Sequence, residues 1–147
     1  MKNYRVLAVF LAETYQEIFN QVELLKKSPK DNNETMVRLE YDQWKLDLVK
    51  RTMDERLNEA ERPIFRLIYG RHLTFREVRE FYKMKTGRNL LNPQIIRTKR
   101  HILSSLAMEI QFCDTYEEEH NNVVKLEQEF FIWLSSSPQN QKKISKA

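Results

Sequence analysis

The sequence predicts an all-α protein composed of a helical hairpin, a three-helix module and a C-terminal amphipathic helix. Apolar residues recur at intervals of three and four along most of the chain, which is the spacing of helices with one buried face. The 147 residues include only two glycines and four prolines, whereas an antiparallel β fold needs frequent turn residues. The length fits a single domain with a sizeable core.

The first helix is predicted over residues 4–25, with an apolar stripe that starts at Val6. The apolar run at residues 6–12 is too short to span a bilayer. Charged residues follow it at helical intervals, where a secretory signal would have a small-residue cleavage site. The pattern therefore predicts a packed helix and no membrane partner.

A loop is predicted at residues 26–35, where polar residues surround Pro29. A second helix is predicted from Met36, and its apolar stripe continues to Leu57. We expect the two helices to pack as an antiparallel hairpin. They form an N-terminal helical segment of residues 1–56.

A three-helix module is predicted over residues 57–108. Pro63 lacks a backbone N–H and clashes with the preceding turn, so the helical stretch should break and restart near it. Asn58 and Glu61 have the spacing of a capping box for that restart. Gly70 follows the apolar residues of this helix, and we expect it to adopt a left-handed C-terminal cap.

Two further helix starts are visible in the module. Thr74 and Glu77 have the spacing of a second capping box. Asn92 followed by Pro93 predicts an N-cap and a third helix that runs to at least Leu106. At about 100° per residue, this helix divides into an apolar and a polar face. The apolar face contains Ile95, Ile96, Ile102, Leu103 and Leu106, and the polar face contains Gln94, Arg97, Thr98, Arg100, His101, Ser104 and Ser105.

The net charge of +4 is unevenly distributed along the chain. Residues 109–129 contain seven acidic side chains and the single base Lys125. Residues 81–108 contain six basic side chains and no acidic one. Such a basic stretch attracts phosphate, because binding releases the counterions condensed on a nucleic acid. The six basic residues are Lys83, Lys85, Arg88, Arg97, Lys99 and Arg100.

Three consecutive short helices whose third has a basic outer face form the pattern of a helix-turn-helix. In that arrangement the third helix enters the major groove of double-stranded DNA. Residues near its N-terminus read base edges, while basic side chains and helix N-termini bind phosphate. The predicted base-reading residues are Gln94, Arg97, Thr98 and His101. The predicted phosphate contacts are Thr74, Arg76, Lys85, Arg88, Asn92 and Arg100.

The stretch LNEAERPIFRLIYGRHLTFREVREFY resembles the DNA-binding fourth region of bacterial sigma factors. The matching residues are Leu57, Glu61, Arg62, Ile64, Leu67, Tyr69, Gly70, Leu73, Thr74, Glu77 and Val78. With the third helix, which is similar in length and in its closing aliphatic residues, the resemblance covers about fifty residues, a third of the chain. It implies a DNA-binding transcription regulator with RNA polymerase as a further partner.

The rest of the chain does not resemble the promoter-melting region of a full sigma factor. By size and layout it is closer to small phage-encoded regulators of the ArpU and RinA type, which implies control of phage gene expression in a bacterial host. The chain departs from the sigma pattern before the third helix, where the turn at residues 83–92 is several residues longer. We expect this turn to contact either phosphate or a protein.

A C-terminal helical extension is predicted at residues 109–134. Its apolar stripe either packs on the core or forms a homodimer surface, which would suit binding to paired half-sites. The stripe consists of Phe130, Phe131, Trp133 and Leu134. The tail at residues 135–147 is polar and contains proline, so it is predicted to be disordered.

Other kinds of chemistry have no sequence support. Cys113 is the single cysteine, so no intramolecular disulfide can form and a cytoplasmic location is expected. Together with His72, His101 and His120 it shows no zinc-ligand spacing. The sequence has no phosphate-binding loop, nucleophile elbow or dinucleotide fingerprint. It therefore predicts no enzyme, no metal and no cofactor.

Three functions remain open. The first is a sequence-specific regulator that binds double-stranded DNA. The second is an adaptor that binds RNA polymerase or another regulator through residues 109–129 or the C-terminal stripe. The third is a helical structural or regulatory protein, for which the polar face of the third helix would have to be buried.

Overall fold

A computed structural model describes residues 3–27 and 33–147 of the chain. Within these ranges the chain forms seven α-helices and one π-helical turn, and no strand. The all-α fold predicted from the sequence is confirmed. The helices are α1 Tyr4–Lys27, α2 Asn33–Arg56, α3 Glu61–Phe65, α4 Phe75–Thr86, α5 Asn92–Asp114, α6 Glu117–Ser136 and α7 Pro138–Lys146. The π-helical turn Arg66–Gly70 continues α3.

Helix α1 lies at the centre of the molecule. Its six consecutive residues 7–12 are all buried, which is possible because α2, α5, α6, α7 and the π-helical turn all contact this helix. Removing this apolar surface from water is the main favourable contribution to folding. Among the described helices, none is both long enough and apolar enough to cross a membrane.

The first two helices are longer than the sequence predicted. Helix α1 extends to Lys27 and α2 begins at Asn33, so both enter the predicted loop at 26–35. Lys26 and Lys27 in the last turn of α1 are favourable there, because the C-terminus of a helix carries partial negative charge. The middle of the predicted loop, with Pro29, lies outside the described residues.

The predicted break before α3 is confirmed. The Asn58 side-chain oxygen accepts hydrogen bonds from the amides of Ala60 at 3.0 Å and Glu61 at 2.9 Å. The Glu61 carboxylate in turn accepts from the Asn58 amide at 3.0 Å. Pro63 lies in the first turn of α3, where its missing N–H leaves no helical bond unmade.

The predicted left-handed cap at Gly70 is wrong. The chain continues through Gly70 as a π-helical turn, and the residue with positive φ is His72, at 53°. The left-handed backbone conformation therefore occurs at His72, two residues after Gly70. The left-handed glycine is Gly87, with φ of 73°, which ends α4 and donates its amide to the Lys83 carbonyl at 2.8 Å.

Helix α5 continues to Asp114, beyond Leu106, the residue to which it was predicted to extend at least. Ile110 and Cys113 are fully buried and continue the apolar face past Leu106. Ser105 was expected on the polar face but is buried, because the packed face of α5 is wider than the apolar arc alone. Helix α5 packs against α1, α2, α3 and α6.

A first charged cluster joins α2 to α5. The buried carboxylate of Glu109 accepts hydrogen bonds from the guanidinium groups of Arg51 at 3.0 Å and Arg56 at 2.6 Å. Arg51 also donates to the Cys113 sulfur at 3.2 Å. A buried carboxylate is tolerated only when such partners replace its lost hydration.

A second charged cluster joins α2 to α6. Lys45, which is 2% exposed, lies 3.0 Å from an oxygen of Asp42 and 3.0 Å from an oxygen of Glu129. The Arg38 guanidinium bonds to the other oxygens of both carboxylates, at 3.0 and 3.1 Å. The Tyr41 hydroxyl donates to Glu129 at 2.6 Å. Two positive and two negative charges therefore compensate one another.

This cluster keeps Glu129 ionised. Burial by itself raises the pKa of a carboxyl group, but the hydrogen bond from Tyr41 and the charges of Lys45 and Arg38 together outweigh it. The pKa of Glu129 is consequently lowered below its ordinary value. The ionised form is thus the one that the folded chain stabilises.

The C-terminal stripe is mostly part of the core. Phe130 is buried, and its ring centroid lies 6.0 Å from that of Phe10 on α1. The Trp133 ring lies 5.2 Å from the same Phe10 ring, and Leu134 also packs on the core. Of the four residues only Phe131 is exposed, at 58%. The stripe is therefore not an open homodimer surface.

The prediction of a disordered tail is also wrong. Residues 138–146 form α7, which packs on α1. Ser137 caps this helix by accepting a hydrogen bond from the Gln139 amide at 3.2 Å. Lys143 lies 3.6 Å from the Glu13 carboxylate, and Ile144 packs against the core. These contacts stabilise a short helix whose polar composition would not hold it alone.

We predict that Lys45→Ala destabilises the fold by about 3 to 5 kcal/mol, because it leaves Asp42 and Glu129 with an uncompensated buried charge. Chemical denaturation followed by circular dichroism measures the loss. Lys50→Ala, at an exposed position of the same helix, is the matched control and should stay within about 0.5 kcal/mol of the unmodified chain. Equal stability of the two variants would contradict the role assigned to the cluster.

Candidate nucleic-acid interface

The N-terminal half of α5 has two faces in different surroundings. Ile95, Ile102 and Leu106 are fully buried against the neighbouring helices. The opposite face is exposed at Gln94, Arg97, Arg100, His101 and Ser104. Glu61 bonds to His101 and Arg5 bonds to Ser104 on this face, and all five residues remain exposed to solvent.

The start of α5 differs from the prediction. Leu91 is the N-cap, with an extended backbone, and Asn92 is the first helical residue. The Gln94 side-chain oxygen accepts a hydrogen bond from the Leu91 amide at 2.8 Å. The Asn92 side-chain oxygen accepts a hydrogen bond from the Arg79 guanidinium of α4 instead. Gln94 therefore supplies the side-chain bond at this helix start.

The four predicted base-reading residues differ in how free they are to bind. Within the described residues, Arg97 makes no side-chain hydrogen bond or ion pair, and it is exposed. Thr98 is half-buried. Gln94 is bonded to Leu91, and the Nδ1 atom of His101 lies 2.6 Å from a Glu61 oxygen. Arg97 is thus an exposed cation among the four, and its guanidinium has no partner among the described residues.

These four residues line one groove, which we call the Glu61 groove. It lies between the exposed face of α5 and the turn that precedes α3, and has a volume of 420 Å³. Glu61, with its side chain 13% exposed, contributes the one acidic group among the lining residues. The lining consists of Asn58, Ala60, Glu61, Ile64, Tyr82, Leu90, Gln94, Arg97, Thr98 and His101.

Three of the predicted phosphate contacts are engaged within the protein. The Thr74 hydroxyl accepts from the Glu77 amide at 3.2 Å, and the Thr74 amide donates to the Glu77 carboxylate at 3.1 Å, which confirms the capping box. The hydrogen bonds from Thr74 lower the pKa of Glu77. Arg76 pairs with Glu80 at 3.1 Å. The third is Asn92, which is bonded to Arg79.

The other three predicted phosphate contacts are exposed cations. Lys85 is at the end of α4, where its ammonium lies 5.7 Å from the centroid of the Phe81 ring. Arg88 lies in the turn between α4 and α5, and Arg100 lies on α5. The turn at residues 87–91 is fixed to the core by the buried side chain of Leu90. The long turn predicted at residues 83–92 is wrong, because residues 83–86 belong to α4 and only residues 87–91 separate α4 from α5. Arg88 therefore lies next to the end of α4 on a defined part of the surface.

The sequence did not reveal that α7 contributes to this surface. Lys146 lines a second groove on the opposite flank of α5, together with Lys99 and Arg100. We call this the basic groove; its lining is Phe75, Ile96, Lys99, Arg100, Leu103, Lys146 and Ala147. Ser137 followed by Pro138 is a helix start signal that would have indicated α7.

Other site chemistry is limited in the part of the chain that the structure describes. There, no group of three or more His, Cys, Asp and Glu side chains is arranged to hold a metal ion. Burial raises the pKa of the Cys113 thiol to about 11, so the thiol is protonated at neutral pH.

Comparison with known proteins gives no match: no protein-family model, curated protein or solved structure is similar to this chain. The resemblance to sigma factors therefore stays a prediction.

We predict that Gln94→Ala destabilises the chain by about 0.5 to 1 kcal/mol, because the Leu91 amide loses its acceptor. Thermal and chemical denaturation measure the effect. Gln111→Ala, an exposed glutamine further along α5, is the matched control, since it has the same change in helix propensity without a capping bond. An equal change in both variants would show that the cap contributes nothing.

Proposed function

We propose that this chain is a sequence-specific transcription regulator that binds double-stranded DNA, with α3, α4 and α5 as a helix-turn-helix. The observation that supports this most strongly is that α5 buries its apolar face and leaves Arg97 exposed on a polar, basic face. A helix presented in this way fits the major groove of B-DNA, which is about 12 Å wide.

Arg97 is the proposed principal base reader. Its guanidinium can donate two hydrogen bonds to O6 and N7 of guanine, a contact that discriminates against other bases by about 1 to 3 kcal/mol. Within residues 3–27 and 33–147, no side chain or carbonyl competes for these donors. Gln94 is less suited to bidentate recognition of adenine, because its side-chain oxygen is bonded to the Leu91 amide. The N–H groups of the Gln94 side chain remain available to donate a single hydrogen bond to a base.

His101 is proposed to contact bases, and its bond to Glu61 is proposed to determine which ring nitrogen carries the proton. A carboxylate oxygen only accepts, so the 2.6 Å contact places the proton of the imidazole on Nδ1. In the neutral ring Nε2 is then an acceptor, which suits the amino group of cytosine or adenine. In the protonated ring Nε2 becomes a donor, which suits guanine or a phosphate.

The surrounding cations are proposed to set affinity and orientation. Lys85, Arg88 and Arg100 are exposed on the turn and helices that flank Arg97. Contacts of this kind to phosphate carry no sequence information but hold the reading helix in register. They also make binding strongly dependent on salt.

A second candidate function is an adaptor that binds RNA polymerase or another regulator. Met108 and Phe112 in the last turns of α5, and Tyr116 just before α6, are each about half exposed and follow one another at intervals of four residues. The rings of Phe112 and Tyr116 lie 5.0 Å apart. Contiguous exposed apolar side chains of this kind are typical of protein contacts. Purified polymerase that binds the unmodified chain without DNA, but not Phe112→Ser, would favour this function.

We predict that Arg97→Ala raises the Kd for a cognate site by at least about ten-fold, while affinity for unrelated duplexes changes by less. The site is first obtained by enrichment of genomic fragments on the purified protein at two salt concentrations. Fluorescence anisotropy then measures both affinities. Because Arg97 is exposed, the unfolding temperature should not change.

Lys125→Ala is the control for this experiment, since it removes the same charge from the groove between α2 and α6. It should leave both affinities unchanged. The proposed function is wrong if the unmodified chain binds no duplex at low salt, or if it binds every duplex equally and Arg97→Ala alters nothing.

A further inference from the structure

The basic groove concentrates positive charge beside the exposed face of α5. It has a volume of 380 Å³, and three of its seven lining residues are cationic: Lys99, Arg100 and Lys146. None of the described residues that line it is acidic. Like charges around one concave surface repel one another and raise the local concentration of anions.

Helix α7 is held firmly at this place. The buried side chain of Asn140 donates to the Trp133 carbonyl at 2.7 Å, at the beginning of the helix. At its end, the Arg5 guanidinium donates to the Ala147 carbonyl at 3.1 Å and to the Ser104 hydroxyl of α5 at 3.1 Å. Arg5 therefore ties the end of α7 to α5. These bonds keep Lys146 on the same side of the molecule as Arg100.

The two flanks of α5 differ in charge. Arg97 lines the Glu61 groove, whereas Arg100, about 60° away around the helix axis, lines the basic groove. The Glu61 groove contains an acidic side chain, whereas the charged side chains of the basic groove are all cationic. Phosphate is therefore favoured on the second flank.

We propose that the basic groove binds a backbone phosphate of the same DNA that α5 reads, so that α7 is part of the binding surface. The inference rests on the proposed function and extends it to Lys146. A helix in the major groove has a sugar-phosphate strand along each side. Lys99 and Arg100 approach that strand from α5, and Lys146 approaches it from α7. The phosphate relieves the repulsion among the three cations.

Binding of a 30-base-pair duplex is measured by fluorescence anisotropy at five salt concentrations for the unmodified chain, Lys146→Gln, Lys146→Arg and Lys125→Gln. Lys146→Gln should reduce the slope of log Kd against log salt by about 1 and weaken binding about five-fold near physiological salt. Lys146→Arg keeps the charge and should keep the slope. Lys125→Gln removes an equal charge outside the groove and should also keep it.

Failure of this inference is distinguishable from failure of the proposed function. If the unmodified chain binds no duplex, the proposed function fails. If it binds and Lys146→Gln has the same slope as Lys125→Gln, only the role of α7 is overturned.

A free phosphate ligand is the other source of the same chemistry, and pyrophosphate is the probe for it. Pyrophosphate is titrated into the unmodified chain and into Lys146→Gln, and binding is followed by NMR. Lys146-dependent binding of pyrophosphate, together with DNA binding that does not depend on Lys146, would overturn the assignment to DNA.

Discussion

The burial of one face of α5 is the constraint on which the rest of the molecule depends. The helix has 23 residues, and its buried stripe continues from Ile95 to Cys113 against the central helix α1 and its neighbours. Near its C-terminal end, Glu109 is held between Arg51 and Arg56, which prevents the helix from rotating about its axis. A rotation is excluded because it would expose the stripe and strip the carboxylate of its partners. The position of Arg97 in solvent follows from this packing.

The charged clusters of α2 explain how a helix with a polar sequence packs in the interior. Asp42 and Lys45 are buried on α2, where apolar residues alone would be expected. Each of these charged side chains has an oppositely charged partner within about 3 Å, on α2 itself or on α6. Such clusters are costly to break and poor contributors to net stability, but they accept only one alignment of the helices. In this chain the two clusters align α2 with α5, which carries the candidate interface, and with α6.

Much of the fold was predictable because its signals are local. Helical periodicity, the box at Thr74 and Glu77, and the restart near Pro63 involve residues close in sequence, and all are confirmed. Gly70 was misjudged because the π-helical turn depends on packing rather than on a local signal. Helix α7 has a local start signal at Ser137 and Pro138, but its polar sequence is stabilised by contacts with α1 that no local pattern predicts. In the candidate interface, the exposure of Arg97 followed from periodicity, whereas the bond between His101 and Glu61 joins residues forty positions apart and has no sequence pattern.

The most direct test of the account is site-specific photo-crosslinking from the face of α5. Ile96, which is 39% exposed, is replaced by a photoreactive benzoylphenylalanine, and Ile132 on α6, which is 72% exposed, is replaced in the same way as a control. The two proteins are irradiated with duplex fragments bearing an enriched site, in the presence of purified RNA polymerase. If α5 enters the major groove, covalent DNA adducts form from position 96 and none form from position 132. Adducts to protein alone from position 96, or equal DNA adducts from both positions, would contradict that placement of α5.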